Sequence, residues 1–175
     1  MSSDKVCTLL FLRRNNEILL AMKKRGFGVG HWNGAGGKIE PGETVEQALV
    51  RETQEEISVT PITYEKVGEQ DFFMDTDTDQ PYHMYVHVYI SSEWEGEPTE
   101  SEEMTPQWYK ISDIPYDSMW QDDPHWLPQV LDGKKIVGKY TFASDNSMLT
   151  HYVNVVDVFT NSIPSHSIEQ EIKDE

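Results

Sequence analysis

The sequence has one cysteine, few basic residues and no long apolar run, and each shortage excludes a class of protein. Because Cys7 has no second cysteine to pair with, no internal disulfide can form and a reducing compartment is expected. With 14 basic against 31 acidic residues the formal net charge is −17, which excludes the basic surface that non-specific nucleic-acid binding needs. The apolar stretch from Val6 to Leu12 is interrupted by Thr8 and is too short for a signal-peptide core or a membrane span. We therefore expect a cytoplasmic monomer that binds neither nucleic acid nor membranes, with nuclear or mitochondrial fractions left open.

The chain has the length and composition of one globular domain followed by an acidic tail. Its 175 residues are 37% apolar and 11% aromatic, which is enough for a single sizeable core. The C-terminal segment from Ile168 to Glu175 reads IEQEIKDE and follows a stretch that contains proline and serine. We therefore place a domain at residues 1–160 and expect residues 161–175 to be a solvated, disordered tail.

Apolar and β-branched runs separated by turn residues predict three hairpins and one further strand. The hairpins turn at Asn15 and Asn16, at DTDTDQP and at SDNS, and the single strand lies in PQWYKISDIP. The glycine-rich segment GFGVGHWNGAGG is expected to form a loop without helix or strand. His83 and His87 fall on the face of the second hairpin opposite Met84, so we expect both histidines to be exposed rather than zinc ligands.

Two segments carry helix signals. Thr44 begins a capping box, and its helix should end near Ile57. In DDPHWLPQVLDG either of the two aspartates caps a short helix, with Pro124 as the first helical residue and Gly133 as the terminator. Many strands with one central and one late helix predict an α+β fold, a mixed β-sheet flanked by two helices.

The first helix carries glutamates where its apolar stripe should continue. At roughly 100° per residue, Glu55 and Glu56 fall within about 60° of Glu52, in the sector of the apolar residues of the earlier turns. Three like charges on an inward face repel one another and lose water, and a hard divalent cation relieves both effects by binding their oxygens. A solvated glutamate-rich face is the alternative, and the glycines before the helix favour the cation site. Arg51, four residues before Glu55, is placed to pair with it.

The spacing around these glutamates resembles the signature of the Nudix hydrolases. Gly37 is followed after five residues by Glu43, and after seven more by RETQEEIS. Thr53 and Ser58 depart from the family pattern, in which an aliphatic residue and a glycine are usual.

The resemblance implies the Nudix fold, an α/β/α sandwich, and catalytic Mg²⁺, with Mn²⁺ as a substitute. It implies a catalytic set of Arg51, Glu52, Glu55 and Glu56. The metal ligands it implies are the Gly36 carbonyl, Glu52, Glu56 and a distal acid, Glu103 or its competitor Glu102, with Glu55 either a further ligand or the base.

Two further stretches, MKKRGFGVGHWNGAGGK and DSMWQDDPHWLP, resemble the Nudix branch that hydrolyses oxidised purine nucleoside triphosphates. The likeness implies a purine pocket in which the Asn33 amide reads a base edge and the Trp120 ring stacks on the base. Asp122 and Asp123 are too close for both to ionise easily, so one pKa should rise and its proton become a donor. The remaining pocket residues are Thr8, Lys23, Phe27, Phe72 and Met84, with Lys23 near the sugar and phosphates.

The expected function is Mg²⁺-dependent hydrolysis of oxidised purine nucleoside triphosphates to the monophosphate and diphosphate. Another Nudix substrate, such as a dinucleoside polyphosphate, a nucleotide sugar or a methylated purine triphosphate, is one alternative. A catalytically silent nucleotide- or RNA-binding module is another.

Taken singly, the two aspartates read as a helix cap, Trp120 as a core aromatic and Asn33 as a turn residue. Only their joint occurrence favours the pocket.

Overall fold

The computed structural model describes residues 4–159. The strands are β1 Lys5–Arg14, β2 Glu17–Lys23, β3 Trp32–Asn33, β4 Thr60–Met74, β5 Tyr82–Glu95, β6 Met104–Lys110, β7 Lys135–Phe142 and β8 Met148–Val156. The helices are α1 Val45–Ile57 and α2 Asp123–Leu131, and two short 3₁₀ turns, Ile111–Asp113 and Tyr116–Ser118, connect β6 to α2. The predicted tail at 161–175 lies outside the described residues, so its disorder stays a prediction.

The strands form a mixed sheet in the order β3-β2-β1-β5-β4-β7-β8, and β6 also pairs with β2. The pairs β1–β5 and β4–β7 are parallel, and the other pairs are antiparallel. The three predicted hairpins, β1–β2, β4–β5 and β7–β8, are confirmed. Parallel and antiparallel pairs together make the sheet mixed, as predicted.

Each face of the sheet is covered by one helix. Ala48 and Leu49 of α1 share a core with Leu10 of β1, whereas Trp126 of α2 shares a core with Phe11 of β1. Successive side chains of a strand point to opposite faces, so β1 contributes to both cores. The predicted sandwich of a mixed sheet between two helices is confirmed.

The ends of α1 form as its sequence predicts. Thr44 accepts a hydrogen bond from the Gln47 N–H, and the Gln47 side chain accepts one from the Thr44 N–H. Ser58 ends the helix in the left-handed conformation with φ of 62°, which glycine adopts more easily, so a modest stability cost is expected there. Thr53 is fully buried and satisfies its hydroxyl by donating to the Leu49 carbonyl at 2.7 Å.

Two local predictions are wrong. Trp32–Asn33 in the glycine-rich segment is a short strand, because its backbone pairs with Ala21 and Met22 of β2. Pro124 is the second residue of α2, since the helix begins at Asp123. No helix within residues 4–159 is long and apolar enough to cross a membrane.

Candidate active site

The carboxylates predicted to bind metal line a cavity of about 530 Å³ beside the C-terminal half of α1. Its walls also come from the loop before α1 and from the segment before β6. The predicted catalytic and metal-binding residues all line it: Gly36, Arg51, Glu52, Glu55, Glu56 and Glu103. The fold therefore brings acidic groups that are distant in the chain to one place.

Arg51 holds the loop before α1 against the helix. Its Nε and Nη2 donate to both carboxylate oxygens of Glu43, at 2.7 and 2.8 Å, and Nη2 also donates to the Lys38 carbonyl at 3.1 Å. Its Nη1 donates to Glu52 at 2.9 Å and to Glu55 at 3.3 Å. The bidentate pair holds the pKa of the Glu43 carboxyl below its ordinary value. The predicted Arg51–Glu55 pair is present, but Glu43 is the main partner.

Glu52 and Glu56 point inward and meet the glycines of the preceding loop. The Glu52 carboxylate packs on Gly37, where a Cβ would come within 2.5 Å of its carboxyl carbon. The Gly36 N–H donates to Glu56 at 3.1 Å. Burial raises the pKa of both carboxyls, that of Glu56 to about 7, although nearby hydrogen-bond donors oppose the rise. A nearby cation would therefore stabilise the ionised form of both carboxyls.

Glu55 does not share this inward position. Its side chain is 60% exposed, whereas those of Glu52 and Glu56 are 15% and 5% exposed. The helical-wheel prediction that all three glutamates face inward is therefore wrong for Glu55. The wheel angle places Glu55 at one edge of the stripe, and its side chain lines the cavity while remaining largely exposed to solvent.

Lys23 and Arg25 bring positive charge to the carboxylates. The Lys23 ammonium lies 3.9 Å from Glu56 and 3.3 Å from Glu103. Arg25 pairs with Glu103 at 3.6 Å and with Glu102 at 3.4 Å, and the Glu102 side chain is 86% exposed. Glu103, rather than Glu102, is thus linked to α1 through Lys23. Sequence reasoning missed Arg25, although its place in the basic run KKR of an acidic chain was a signal.

The donor set of this cavity fits a hard divalent cation. Its acidic side chains offer only carboxylate oxygens, the ligands that Mg²⁺ and Mn²⁺ prefer. Burial disfavours ionised Glu52 and Glu56, and Lys23 supplies part of the compensating charge. Among residues 4–159 no three His, Cys, Asp or Glu side chains are already arranged to hold a metal ion.

A second, more apolar cavity of about 380 Å³ adjoins the first. It is enclosed by the glycine-rich loop, by the start of α2 and by the sheet strands β1, β4 and β5. All nine residues predicted to bind the substrate line it: Thr8, Lys23, Phe27, Asn33, Phe72, Met84, Trp120, Asp122 and Asp123. Lys23, Gly36, Gly37 and Glu56 line both cavities, so the two form one site.

Trp120 is a wall of this pocket, and two rings from the glycine-rich loop stack on it. The centroid of Phe27 lies 5.2 Å from that of Trp120, and the centroid of His31 lies 4.7 Å from it. Nδ1 of His31 is buried without a hydrogen-bond partner among the described residues. Sequence reasoning missed His31, although it stands two residues before Asn33, where alternate side chains of an extended segment share a face.

Asp122 and Asp123 lie at the start of α2 and are both buried. Asp122 accepts a hydrogen bond from the indole of Trp126 at 2.8 Å, so its side chain does not cap the helix. Burial raises the pKa of both carboxyls, that of Asp122 to about 6, and the charge of Asp122 raises the pKa of Asp123 further. The two carboxyls therefore ionise together less readily than two separate carboxyls would, which agrees with the prediction that one pKa rises.

Cys7 and His87 are two further groups that the predicted chemistry does not use: Cys7 is half-buried and lines the apolar cavity, and His87 is buried. Burial raises the pKa of the Cys7 thiol to about 11, which agrees with packing rather than nucleophilic attack. His87 contradicts the prediction of exposure, because it is fully buried and burial lowers its pKa to about 3. The reason is that β5 lies between β1 and β4 in the sheet, where both faces are covered. His83 is only partly exposed and contacts Asp71 at 2.7 Å.

Comparison with known proteins gives the family. The NUDIX domain model matches residues 3–130. The chain is 40% identical over 159 residues to the oxidized purine nucleoside triphosphate hydrolase of Mus musculus, covering 91% of this chain and 100% of that protein. It is 41% identical over 157 residues to the protein of the same description from Danio rerio, covering 90% and 99%. A crystal structure of a mutator MutT protein from Bacillus halodurans has the same fold, with a TM-score of 0.77 at 23% identity over 86% of this chain and 97% of that chain. The chain belongs to the Nudix hydrolase family.

Proposed function

We propose that this protein hydrolyses oxidised purine nucleoside triphosphates, of the 8-oxo-dGTP or 2-oxo-dATP type, to the monophosphate and diphosphate with Mg²⁺. The observation that carries the proposal is that the aromatic pocket and the carboxylate cavity share Lys23, Gly36, Gly37 and Glu56. A purine held in the aromatic pocket therefore directs its phosphates past Lys23 toward the carboxylates. The names of the Mus musculus and Danio rerio relatives support the same substrate class.

The carboxylate cavity supports the hydrolytic step. Nudix hydrolases generally use a divalent metal cation, and bound Mg²⁺ would supply a water of lowered pKa and neutralise phosphate charge. Arg51 is the positioning residue, because its hydrogen bonds fix Glu52 and Glu55 relative to the loop. Glu55 is largely exposed and accepts from Arg51 through one oxygen, and it would be either the base that takes a proton from the attacking water or a further ligand. The groups that would hold the ion are the Gly36 carbonyl, Glu52, Glu56 and Glu103.

The pocket supports recognition of the base. The ring of Trp120, on which Phe27 and His31 stack, lines the pocket and extends an aromatic surface for the base. The Asn33 amide, which accepts from the Gly34 N–H at 2.8 Å, lines the same space. The Asp122–Asp123 pair offers one donor and several acceptors when it carries a single proton. Exchange of that proton between the two acids lets one pocket accept either an oxidised guanine or an oxidised adenine.

The proposal is tested by incubating the purified protein with Mg²⁺ and 8-oxo-dGTP and measuring released diphosphate and monophosphate. We expect kcat/KM for 8-oxo-dGTP and 2-oxo-dATP to exceed that for dGTP and dATP. A panel with a dinucleoside polyphosphate, a nucleotide sugar and a methylated purine triphosphate tests the other Nudix substrates. Absence of diphosphate release from 8-oxo-dGTP would reject the proposal, and a binding module would turn over none of these compounds.

We further propose that the protein acts as a monomer in the cytoplasm, on free nucleotides rather than on nucleic acid. The unpaired Cys7 suits a reducing compartment, and the net charge of −17 opposes nucleic-acid binding. Light scattering coupled to gel filtration measures the mass in solution, and a dimer mass would contradict the first part. Fractionation of cells tests the compartment.

A further inference from the structure

Two polar side chains in the core beneath the purine pocket have no hydrogen-bond partner within residues 4–159. Gln70 of β4 and Tyr140 of β7 are both 0% exposed. Among the described residues, the amide nitrogen and oxygen of Gln70 have no hydrogen-bond partner, and the hydroxyl of Tyr140 has none either. Because buried polar groups are nearly always satisfied and an unpaired one is strongly unfavourable, both side chains need a partner that residues 4–159 do not supply.

The two side chains lie side by side on the face of the sheet that α2 covers. The register of β4 and β7 places Gln70 next to Gly138. The Tyr140 hydroxyl lies over that glycine, since a Cβ on Gly138 would come within 2.4 Å of it. Gly138 thus provides the room in which the phenol oxygen reaches the row of Gln70.

This pair lies directly behind the wall of the purine pocket. The backbone neighbour of Gln70 on β5 is Val86, and the ring that stacks on Tyr140 at 4.9 Å is Phe72. Both Val86 and Phe72 line the pocket. A change in the packing or polarity of the pair therefore acts on the pocket through a single layer of side chains.

The phenol also interacts electrostatically with the two aspartates. Burial raises the pKa of the Tyr140 phenol, and the carboxylates of Asp122 and Asp123 raise it further, so the phenol stays protonated and is a donor. One oxygen of Asp123 is likewise buried without a partner. Polar groups of this kind that do not touch are commonly joined by ordered internal water, which makes two to four hydrogen bonds.

We propose that Gln70 and Tyr140 hold ordered water beneath the pocket and through it act as positioning residues for the Asp122–Asp123 pair. The proposal rests on the proposed function, in which this pair reads the base. The Gln70 amide both donates and accepts, and the Tyr140 hydroxyl donates, so together they orient a water to donate toward Asp123. Among the described residues Tyr116 also interacts with the pair, since its phenol pKa is raised by burial and further by Asp123.

The first test is stability and needs no substrate. Tyr140→Phe removes only the hydroxyl, so the melting temperature falls if that hydroxyl belongs to a water-linked network and rises if it is unpaired. We expect a fall, and we expect Gln70→Met combined with Tyr140→Phe to cost less than the sum of the single changes. Tyr89→Phe is the matched control, since Tyr89 is a buried tyrosine in the core on the opposite face.

The second test measures kcat/KM for 8-oxo-dGTP and dGTP between pH 5 and 9. We expect Tyr140→Phe to reduce the preference for 8-oxo-dGTP about fivefold, the usual effect of one lost hydrogen bond. Loss of a donor near the pair should also move the acid limb of the profile to higher pH, and Tyr89→Phe should change neither quantity. A Tyr140→Phe variant at least as stable as the wild type, or one with wild-type preference and profile, overturns the proposal. Failure of the wild type to hydrolyse 8-oxo-dGTP instead overturns the proposed function, and the stability test remains decisive for the water-linked pair.

Discussion

Replacement of Glu56 by glutamine should stabilise the metal-free protein while abolishing its activity. The Glu56 side chain is 5% exposed, and burial, partly offset by the Gly36 N–H and by Lys23, raises its pKa from 4.5 to about 7. A carboxyl group whose pKa is raised on folding favours the folded state when the pH is below its unfolded-state pKa. That contribution to the free energy of unfolding is lost as the pH rises through its folded-state pKa. A rise of this size corresponds to about 3 kcal/mol lost once the group is ionised, near pH 8.

Glutamine keeps an oxygen that accepts from the Gly36 N–H, but it carries no charge at any pH. At pH 8 without metal we therefore expect Glu56→Gln to melt about 6–12 °C above the wild type, a difference that shrinks to about 1 kcal/mol or less in unfolding free energy at pH 5. Thermal unfolding across this pH range is the assay, with diphosphate release measured in parallel. Glu55→Gln is the control, because an exposed carboxylate should leave the melting temperature almost unchanged at either pH.

Mg²⁺ should raise the melting temperature of the wild type at pH 8 and have a much smaller effect on Glu56→Gln, since the variant lacks a charged ligand. A variant that is no more stable than the wild type at pH 8 would refute the argument that burial, rather than pairing with Lys23, dominates at Glu56. Retained turnover would refute its assignment to the metal site.

Three further substitutions test other parts of the site. Asp122→Asn should lower the preference for 8-oxo-dGTP over dGTP about tenfold or more, because an amide cannot exchange a proton with Asp123. Unchanged discrimination between the two nucleotides, with unchanged Mg²⁺ binding, would contradict the role of the pair in reading the base. Arg51→Lys keeps the charge but loses the bidentate hydrogen bond to Glu43, so the free energy of unfolding should fall by about 1–3 kcal/mol in denaturant titrations. A wild-type value would show that this bidentate pair contributes little to stability. Glu103→Gln should raise the Mg²⁺ concentration needed for half-maximal activity while Glu102→Gln should not, and equal effects would remove the preference for Glu103.

Short-range features of this fold could be predicted from the sequence because neighbouring residues decide them. The capping box at Thr44 is completed within one helical turn, and the hairpin at Asn15 joins strands that follow one another. The spacing from Gly37 to Glu56 likewise fixes the angular positions of the glutamates around α1, and that spacing carries the family resemblance. These features need no information about what packs on the helix.

What the sequence by itself determined, then, is the order of the two helices and three hairpins, the family, and most of the polar and aromatic residues to which we assign a role in the two cavities. Only the tertiary structure decided which members are covered, because a helical or strand period gives a direction but not the neighbour that lies there. It turns Glu55 to the open side, buries His87 inside the sheet, and joins Lys23 to Glu103 across 80 positions of the chain. It also merges the purine pocket with the carboxylate cavity, since the residues common to both come from separate elements that meet only when the core forms.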